Sequence, residues 1–151
     1  MIKKIQVGIL TLLVLSSFSS MSNELEILDN KGSTYYVGGS GEGNYSTIQD
    51  AINKASDGDT VFVYNGTYFG HVLIDKSINF LGENKNTTII SGYIAYTLSI
   101  VTDGVYISGF TIKNAGRLGE GVRIDSNYNT FYNNIIHTPD DNVRFAGYNN
   151  T

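Results

Sequence analysis

From Thr60 to the end of the chain, apolar and polar residues alternate with a period of two, in short runs that Asn, Asp and Gly separate. This alternation is typical of β-strands with one buried face, because successive side chains of a strand point to opposite faces. The runs recur every 21–27 residues in three series, which begin at Val72, Phe80 and Ile90. Three series with one period predict three short strands per repeat.

The members of each series lie in step along the chain. The first series is Val72, Leu98, Val122 and Val143, the second is Phe80, Ile107 and Phe131, and the third is Ile90, Ile112 and Ile136. Self-similarity at this period is typical of solenoids, and the leucine and asparagine spacing of leucine-rich repeats is absent. With no helices between the strands, the pattern predicts an all-β chain that forms a parallel β-helix with three strands per coil and about four coils.

The alternation also predicts which side chains face inward in the first series: Val72 and Ile74, Leu98 and Ile100, Val122 and Ile124, and Val143 and Phe145. Asn and Gly at the corners tolerate the left-handed backbone that tight corners need. A β-sandwich is the alternative fold. It would use a hairpin turn such as Asn65-Gly66, but it does not explain three series in step.

One segment has the helical period. Ile48, Ala51, Ile52 and Ala55 form one apolar stripe, and Ser46 with Gln49 has the spacing of a capping box. We therefore predict a helix over about 46–56, which Gly58 ends in the left-handed conformation.

The sequence divides the chain into three parts. Residues 1–22 have the features of a secretory signal peptide: Lys3 and Lys4, then a short apolar run, then the small residues Ser20 and Ser22. An uncleaved anchor is the alternative. Residues 23–44 are a polar, Gly-rich leader, and residues 45–151 are the β-helix domain. The apolar run is too short to span a bilayer, so we expect a secreted or cell-surface protein with no membrane span after signal removal.

Composition narrows the possible functions. The chain has no cysteine, which excludes disulfides and thiol catalysis. Its net charge is −4, without a basic run, which argues against a nucleic-acid partner. Eleven tyrosines are available to stack on sugar rings or to pack at corners, and Tyr106 and Tyr132 are expected to face outward.

Several motifs resemble those of one known group of proteins. They are Thr47 to Ile52, Ala55 to Val63, Asn65 to Tyr68, Ile74 to Asn84, Thr88 to Gly92, and the later Gly104 to Ile112 and Asn129 to Ile136. They resemble the pectin-lyase-like superfamily, and within it the NosD-like group of carbohydrate-binding and sugar-hydrolase-type repeats. The resemblance covers about 45–151 and implies a right-handed parallel β-helix whose first helix caps the open end of the coil.

The resemblance also suggests chemistry to be checked. Some NosD-like proteins are linked to copper, but copper sites need Cys, Met or clustered His, and His71 and His137 are 66 residues apart. We expect no copper site and no cofactor, although lyases of this fold use calcium. Asp140 and Asp141 resemble the acid/base pair of polygalacturonase-type hydrolases, but the Gly-His-Gly and basic motifs of those enzymes are absent. A Pro-Asp-Asp turn is the simpler explanation.

The outward positions are more informative. Arg123 follows Val122 as Arg144 follows Val143, so both guanidinium groups are expected to point outward from neighbouring strands, with Asp125 on the same face. Arg123, Asp125, Arg144, Asp140 and Asp141 are therefore the candidate binding residues. A surface Arg–Asp–Arg network without a ligand is the alternative.

The expected function follows from the fold and these candidates. We expect an exported β-helix module that binds a polysaccharide or a cell-surface component, or that has a structural role. The alternative is a piece of a polysaccharide lyase or glycoside hydrolase. The repeat that restarts at Val143 has no polar cap, so we expect further chain or another protomer to cover it.

Overall fold

The structure is a computed structural model, and it describes residues 32–93, 96–113, 121–137 and 143–151. The described residues form thirteen short strands in three parallel sheets and one helix. Sheet I contains β1 (Thr34–Val37), β2 (Thr60–Val63), β5 (Asn79–Gly82), β8 (Tyr106–Ser108) and β11 (Thr130–Tyr132). Sheet II contains β3 (Gly66–Phe69), β6 (Thr88–Ser91), β9 (Thr111–Lys113) and β12 (Ile135–His137). Sheet III contains β4 (Val72–Ile74), β7 (Leu98–Ile100), β10 (Val122–Ile124) and β13 (Val143–Phe145).

The chain visits the three sheets in turn and so forms four coils, from β2–β3–β4 to β11–β12–β13. This arrangement is a parallel β-helix and confirms the predicted fold. All strand pairs of the described residues are parallel, which excludes the β-sandwich and its hairpins there. The three predicted series are also confirmed, because Phe80 pairs with Ile107 and Ile107 pairs with Phe131.

The core runs through the middle of the coils. Ile74, Ile100 and Ile124 are fully buried in sheet III, and Phe80 stacks on Phe110 with ring centroids 4.3 Å apart. A fully buried aliphatic or aromatic side chain contributes about 1.5–3 kcal/mol through the water that it excludes. Such side chains from each coil pack against those of the neighbouring coils.

One residue predicted to lie inside the coil, Phe145, has the predicted register but is not buried. Phe145 is in register with Ile124, but its side chain is 54% exposed, and it contacts Phe131 edge-on at 6.4 Å. β13 is the last strand of sheet III within the described residues, so a coil covers Phe145 on one side alone.

The helix α1 (Ile48–Lys54) packs against β1, β2 and β4 at the first coil. The apolar stripe from Ile48 to Ala55 is buried, as predicted. The predicted cap is wrong by one residue: Thr47, not Ser46, is the N-cap, and its hydroxyl accepts from the Asp50 N–H. The helix also ends before Gly58, because Ala55 already has an extended backbone.

The leader prediction is wrong at its C-terminal end. Thr34–Val37 is not a loop but strand β1, and it pairs in parallel with β2 along its whole length. Asp59 strengthens this connection, since its carboxylate accepts from the Ser33 N–H at 2.6 Å and the Ser56 N–H at 2.7 Å. The signal-peptide prediction and residues 23–31 of the leader lie outside the described residues.

The corners between strands use Asn and Gly, as expected. Asn133 and Asn149 have positive φ, as does Tyr128, which the sequence did not suggest. At one corner Gly82 and Gly109 lie on neighbouring coils, and a Cβ on either would be within 2.3 Å of the other's carbonyl oxygen. Glycine is required there because the two backbones touch.

Candidate functional site

The outer face of sheet III carries a column of four aligned side chains. Leu73 pairs with Ser99, Ser99 with Arg123, and Arg123 with Arg144. Neighbouring strands in a sheet are about 4.8 Å apart, so the two arginines project from adjacent positions on one surface. The column changes from apolar near the cap helix to basic at β10 and β13. We call it the sheet III column.

Arg123 is held by two partners. Its Nε lies 2.5 Å from Asp125 Oδ2, and its Nη1 donates to the Tyr96 hydroxyl at 3.2 Å. Its Cζ also lies 5.4 Å from the centroid of the Tyr96 ring, a cation–π distance. The hydrogen bond to Tyr96 and the ion pair with Asp125 raise the pKa of Arg123, so its charge is permanent.

Arg144 supplies the second positive charge of this face. It is exposed and in register with Arg123. Two guanidinium groups and one carboxylate, those of Arg123, Arg144 and Asp125, therefore share this face of an acidic chain. A guanidinium group donates two parallel hydrogen bonds to a carboxylate, which makes this face chemically suited to a carboxylate ligand.

His71 lies beside the sheet III column. Its Nε2 is 2.9 Å from the hydroxyl of Ser99, the residue that pairs with Arg123. Burial lowers the pKa of His71, which favours the neutral ring at neutral pH. His71 is the residue before β4, so the parallel sheet places it next to β7 although the sequence separates it from Ser99 by 28 positions.

A groove of about 280 Å³ adjoins His71. Residues from the start of α1, from β3 and from the β3–β4 corner line it: Ser46, Thr47, Ile48, Gln49, Thr67, Tyr68, Phe69, Gly70, His71 and Val72. The lining residues therefore include side chains with hydroxyl, amide and imidazole groups as well as the aromatic Phe69. This combination is suited to a polar ligand with an apolar face.

Ser99 and His71 do not form a catalytic triad in the described part of the chain. A triad also needs a group that orients the histidine, and the described hydrogen bonds of the His71 ring involve only Ser99. The described residues also contain no group of three or more His, Cys, Asp or Glu side chains that could hold a metal ion.

The structure places three of the five predicted site residues side by side, and their binding role stays a prediction. Arg123, Asp125 and Arg144 lie on one face, whereas Asp140 and Asp141 lie outside the described residues. Tyr96, His71 and Ser99 were missed. Ser99 occupies the same position in its strand as Arg123, and an alignment of the repeats reveals this. No local sequence pattern marks Tyr96.

The other predicted features lie away from this face. His137 is the last residue of β12 in sheet II, whereas His71 directly precedes β4 of sheet III, so the two histidines lie at different sheets. Tyr106 and Tyr132 occupy outward positions of sheet I, where Tyr132 is 63% exposed and Tyr106 is half-buried.

Comparison with known proteins gives a fold and no family. The sequence matches no protein-family model, and no curated protein matches it significantly. Among solved structures, pectin methylesterase from carrot superimposes with a TM-score of 0.60 and 22% identity, over 66% of this chain. The two chains share the parallel β-helix fold. The match spans 38% of the carrot enzyme, and at this identity it is a likeness of fold alone.

No helix of the described residues has the length and apolar character to cross a bilayer.

Proposed function

We propose that this chain is a carbohydrate-binding module that holds an acidic polysaccharide on the outer face of sheet III. The observation that supports the proposal most directly is the register of Arg123 with Arg144, which aligns two guanidinium groups on one outward surface. Parallel strands lie at a fixed spacing, so the two donors are arranged in advance along the axis of the coils. A ligand with carboxylates repeated along a chain meets both without rearrangement.

The ion pair with Asp125 and the contact with Tyr96 help this role rather than oppose it. They restrict the rotamers of Arg123, so a ligand does not have to order that side chain when it binds. Arg144 then provides the donor that discriminates acidic from neutral sugars. Because the chain as a whole is acidic, this local positive feature is what an anionic polymer requires for approach.

We also propose that the module works outside the cell, on the basis of the predicted signal peptide in residues 1–22. A polysaccharide ligand is consistent with that location. Expression of the full-length gene, followed by N-terminal sequencing of the protein in the medium, tests this: a start near Asn23 supports export, and retention of Met1 in the cytoplasm contradicts it.

The binding test is calorimetry of oligogalacturonate with the wild-type chain at low salt. We expect Arg144→Ala to weaken binding by about tenfold, equivalent to about 1.4 kcal/mol. Arg123→Ala/Arg144→Ala should abolish it, and wild-type affinity should fall as salt is added. Lys54→Ala, at an exposed lysine in the last turn of α1, is the matched control and should bind as wild type.

Two results would overturn the proposal. One is a blank titration of the wild type with oligogalacturonate. The other is equal weakening by Lys54→Ala and Arg144→Ala, which would mean that the ligand responds to overall charge and not to the sheet III face.

A further inference from the structure

Two aromatic rings project from the corner between sheet II and sheet III. Phe69 ends β3 and Tyr93 lies just after β6, on the next coil, and each residue is 66% exposed. Their rings stack with centroids 5.8 Å apart and planes 13° from parallel. Single exposed aromatics are ordinary on protein surfaces, but two that form one stacked surface are less so.

Another aromatic cluster shows what a structural role looks like in this chain. Tyr36, Phe62 and Tyr64 contact one another on the outer face of sheet I, where Phe62 and Tyr64 are half-buried. The backbone of Gly39 also packs closely on the Tyr64 ring. Phe69 and Tyr93 are more exposed than any of these rings, so packing explains them poorly.

The pair is connected to both parts of the candidate site. Phe69 is one of the residues that line the groove beside His71, together with the exposed side chain of Thr67. Tyr93 is three residues before Tyr96, which accepts a hydrogen bond from Arg123. Three residues span at most about 11 Å, so the aromatic pair and the guanidinium groups are within reach of one short oligosaccharide.

The chemistry of such a surface favours a sugar ring. The face of an aromatic ring is electron-rich, and the C–H groups on one face of a pyranose carry a small positive charge. Stacking also removes the apolar face of the sugar from water, while its hydroxyl groups remain available to the polar side chains of the groove.

We propose that Phe69 and Tyr93 form a stacking subsite for a pyranose ring, at the end of the glycan site nearest the cap helix. That the same glycan also reaches Arg123 and Arg144 rests on the function proposed above. The stacking contact itself does not require a charged sugar, and this difference separates the two proposals experimentally.

The test uses two ligands and the full chain. Calorimetry is performed with oligogalacturonate and with the same oligomer fully methyl-esterified, which has no charge. Phe69→Ala and Tyr93→Ala should each weaken binding of both oligomers by about tenfold. Tyr93→Phe keeps the ring and should bind as wild type. Tyr132→Ala removes an equally exposed ring from sheet I and is the matched control.

The outcomes are distinct for the two proposals. Loss of binding in the two alanine variants, with retention in Tyr93→Phe and Tyr132→Ala, supports the stacking subsite. If Arg144→Ala weakens the acidic oligomer while Phe69→Ala and Tyr93→Ala change neither, the subsite is disproved and the basic site stands. If Phe69→Ala and Tyr93→Ala weaken binding of the neutral oligomer but Arg144→Ala leaves binding of the acidic oligomer unchanged, the basic site is disproved and the stacking subsite stands. No binding of either oligomer to wild type removes both. Unchanged circular dichroism and melting temperature verify that each variant is folded.

Discussion

At the scale of residues, His71 shows how the coil changes the properties of a side chain. The residue stands alone in the sequence, yet stacking of β4 on β7 brings its ring to the hydroxyl of Ser99. The same stacking partly removes the ring from water, which disfavours its charged form and lowers its pKa. The imidazole is therefore a neutral hydrogen-bonding group beside the sheet III column.

This predicts a pH dependence of stability. The folded state holds His71 at a pKa below its ordinary value of 6.5, so the unfolded state takes up the proton first as the pH falls. The contribution of His71 to stability is present above pH 6.5 and is lost as the pH falls towards the folded pKa. His71→Gln can keep a hydrogen bond to Ser99 but does not titrate.

Urea unfolding of both proteins between pH 5 and 8 measures this contribution. We expect the difference in unfolding free energy, wild type minus His71→Gln, to decrease as the pH is lowered below about 6.5. Carboxylates titrate in both proteins and cancel in the difference. A difference that is constant over the whole range would contradict the assignment.

At the scale of elements, the cap helix closes the first coil with a side chain as well as with its apolar stripe. The amide of Gln49 bonds both main-chain groups of Leu73: its Oε1 accepts from the N–H at 2.9 Å, and its Nε2 donates to the C=O at 3.2 Å. Among the described strands β4 is at the edge of sheet III, and none of them pairs with it on that side. Gln49 takes the place of that strand and protects the edge.

Gln49→Ala should therefore lower stability by about 1–2 kcal/mol, because two main-chain groups lose their partners. The control is Asn53→Ala, which removes only the exposed hydrogen bond between Gln49 Nε2 and Asn53 Oδ1 and should cost no more than about 0.5 kcal/mol. Chemical denaturation measures both. Equal effects would mean that the Leu73 contacts do not stabilise the edge.

At the scale of the whole molecule, stability is a sum over coils and over the contacts between neighbouring coils. The buried ladder Leu98–Val122 and Ile100–Ile124 continues to Val143 and Phe145, which are more exposed because β13 pairs with β10 alone among the described strands. Asparagines at the corner add hydrogen bonds to this ladder: Asn129 Oδ1 accepts from the Val105 N–H, and Asn129 Nδ2 donates to Asn150 Oδ1.

Ile124→Asp should disrupt the stack, because the side chain is fully buried and an aspartate there has no partner. We expect a loss of about 4 kcal/mol or more, seen as a large drop in melting temperature or as failure to fold. Tyr132→Asp places the same residue at an outward, exposed position and should change stability by about 0.5 kcal/mol or less. A melting temperature unchanged by Ile124→Asp would refute the inward register.

The sequence by itself determined the repeat, the three sheets and their register. Alternation fixes which side chains face inward within each strand, and the common period fixes which strands pair, so Val72, Leu98 and Val122 could be aligned without coordinates. The same alignment placed Arg123 beside Arg144. These features depend on local patterns that recur, and a recurring pattern is readable in one sequence.

Tertiary structure alone decided the rest. Thr34–Val37 is a strand because β2 offers it an edge, and the segment itself has no repeat by which to recognise it. Tyr96 contacts Arg123, and His71 contacts Ser99, because the stacking of the coils brings a residue outside the strands of one coil next to a strand residue of the following coil. Phe145 has the pattern of a core residue, but burial also needs a neighbour on each side. Contacts across coils depend on what the next coil supplies, and that information is absent from any local pattern.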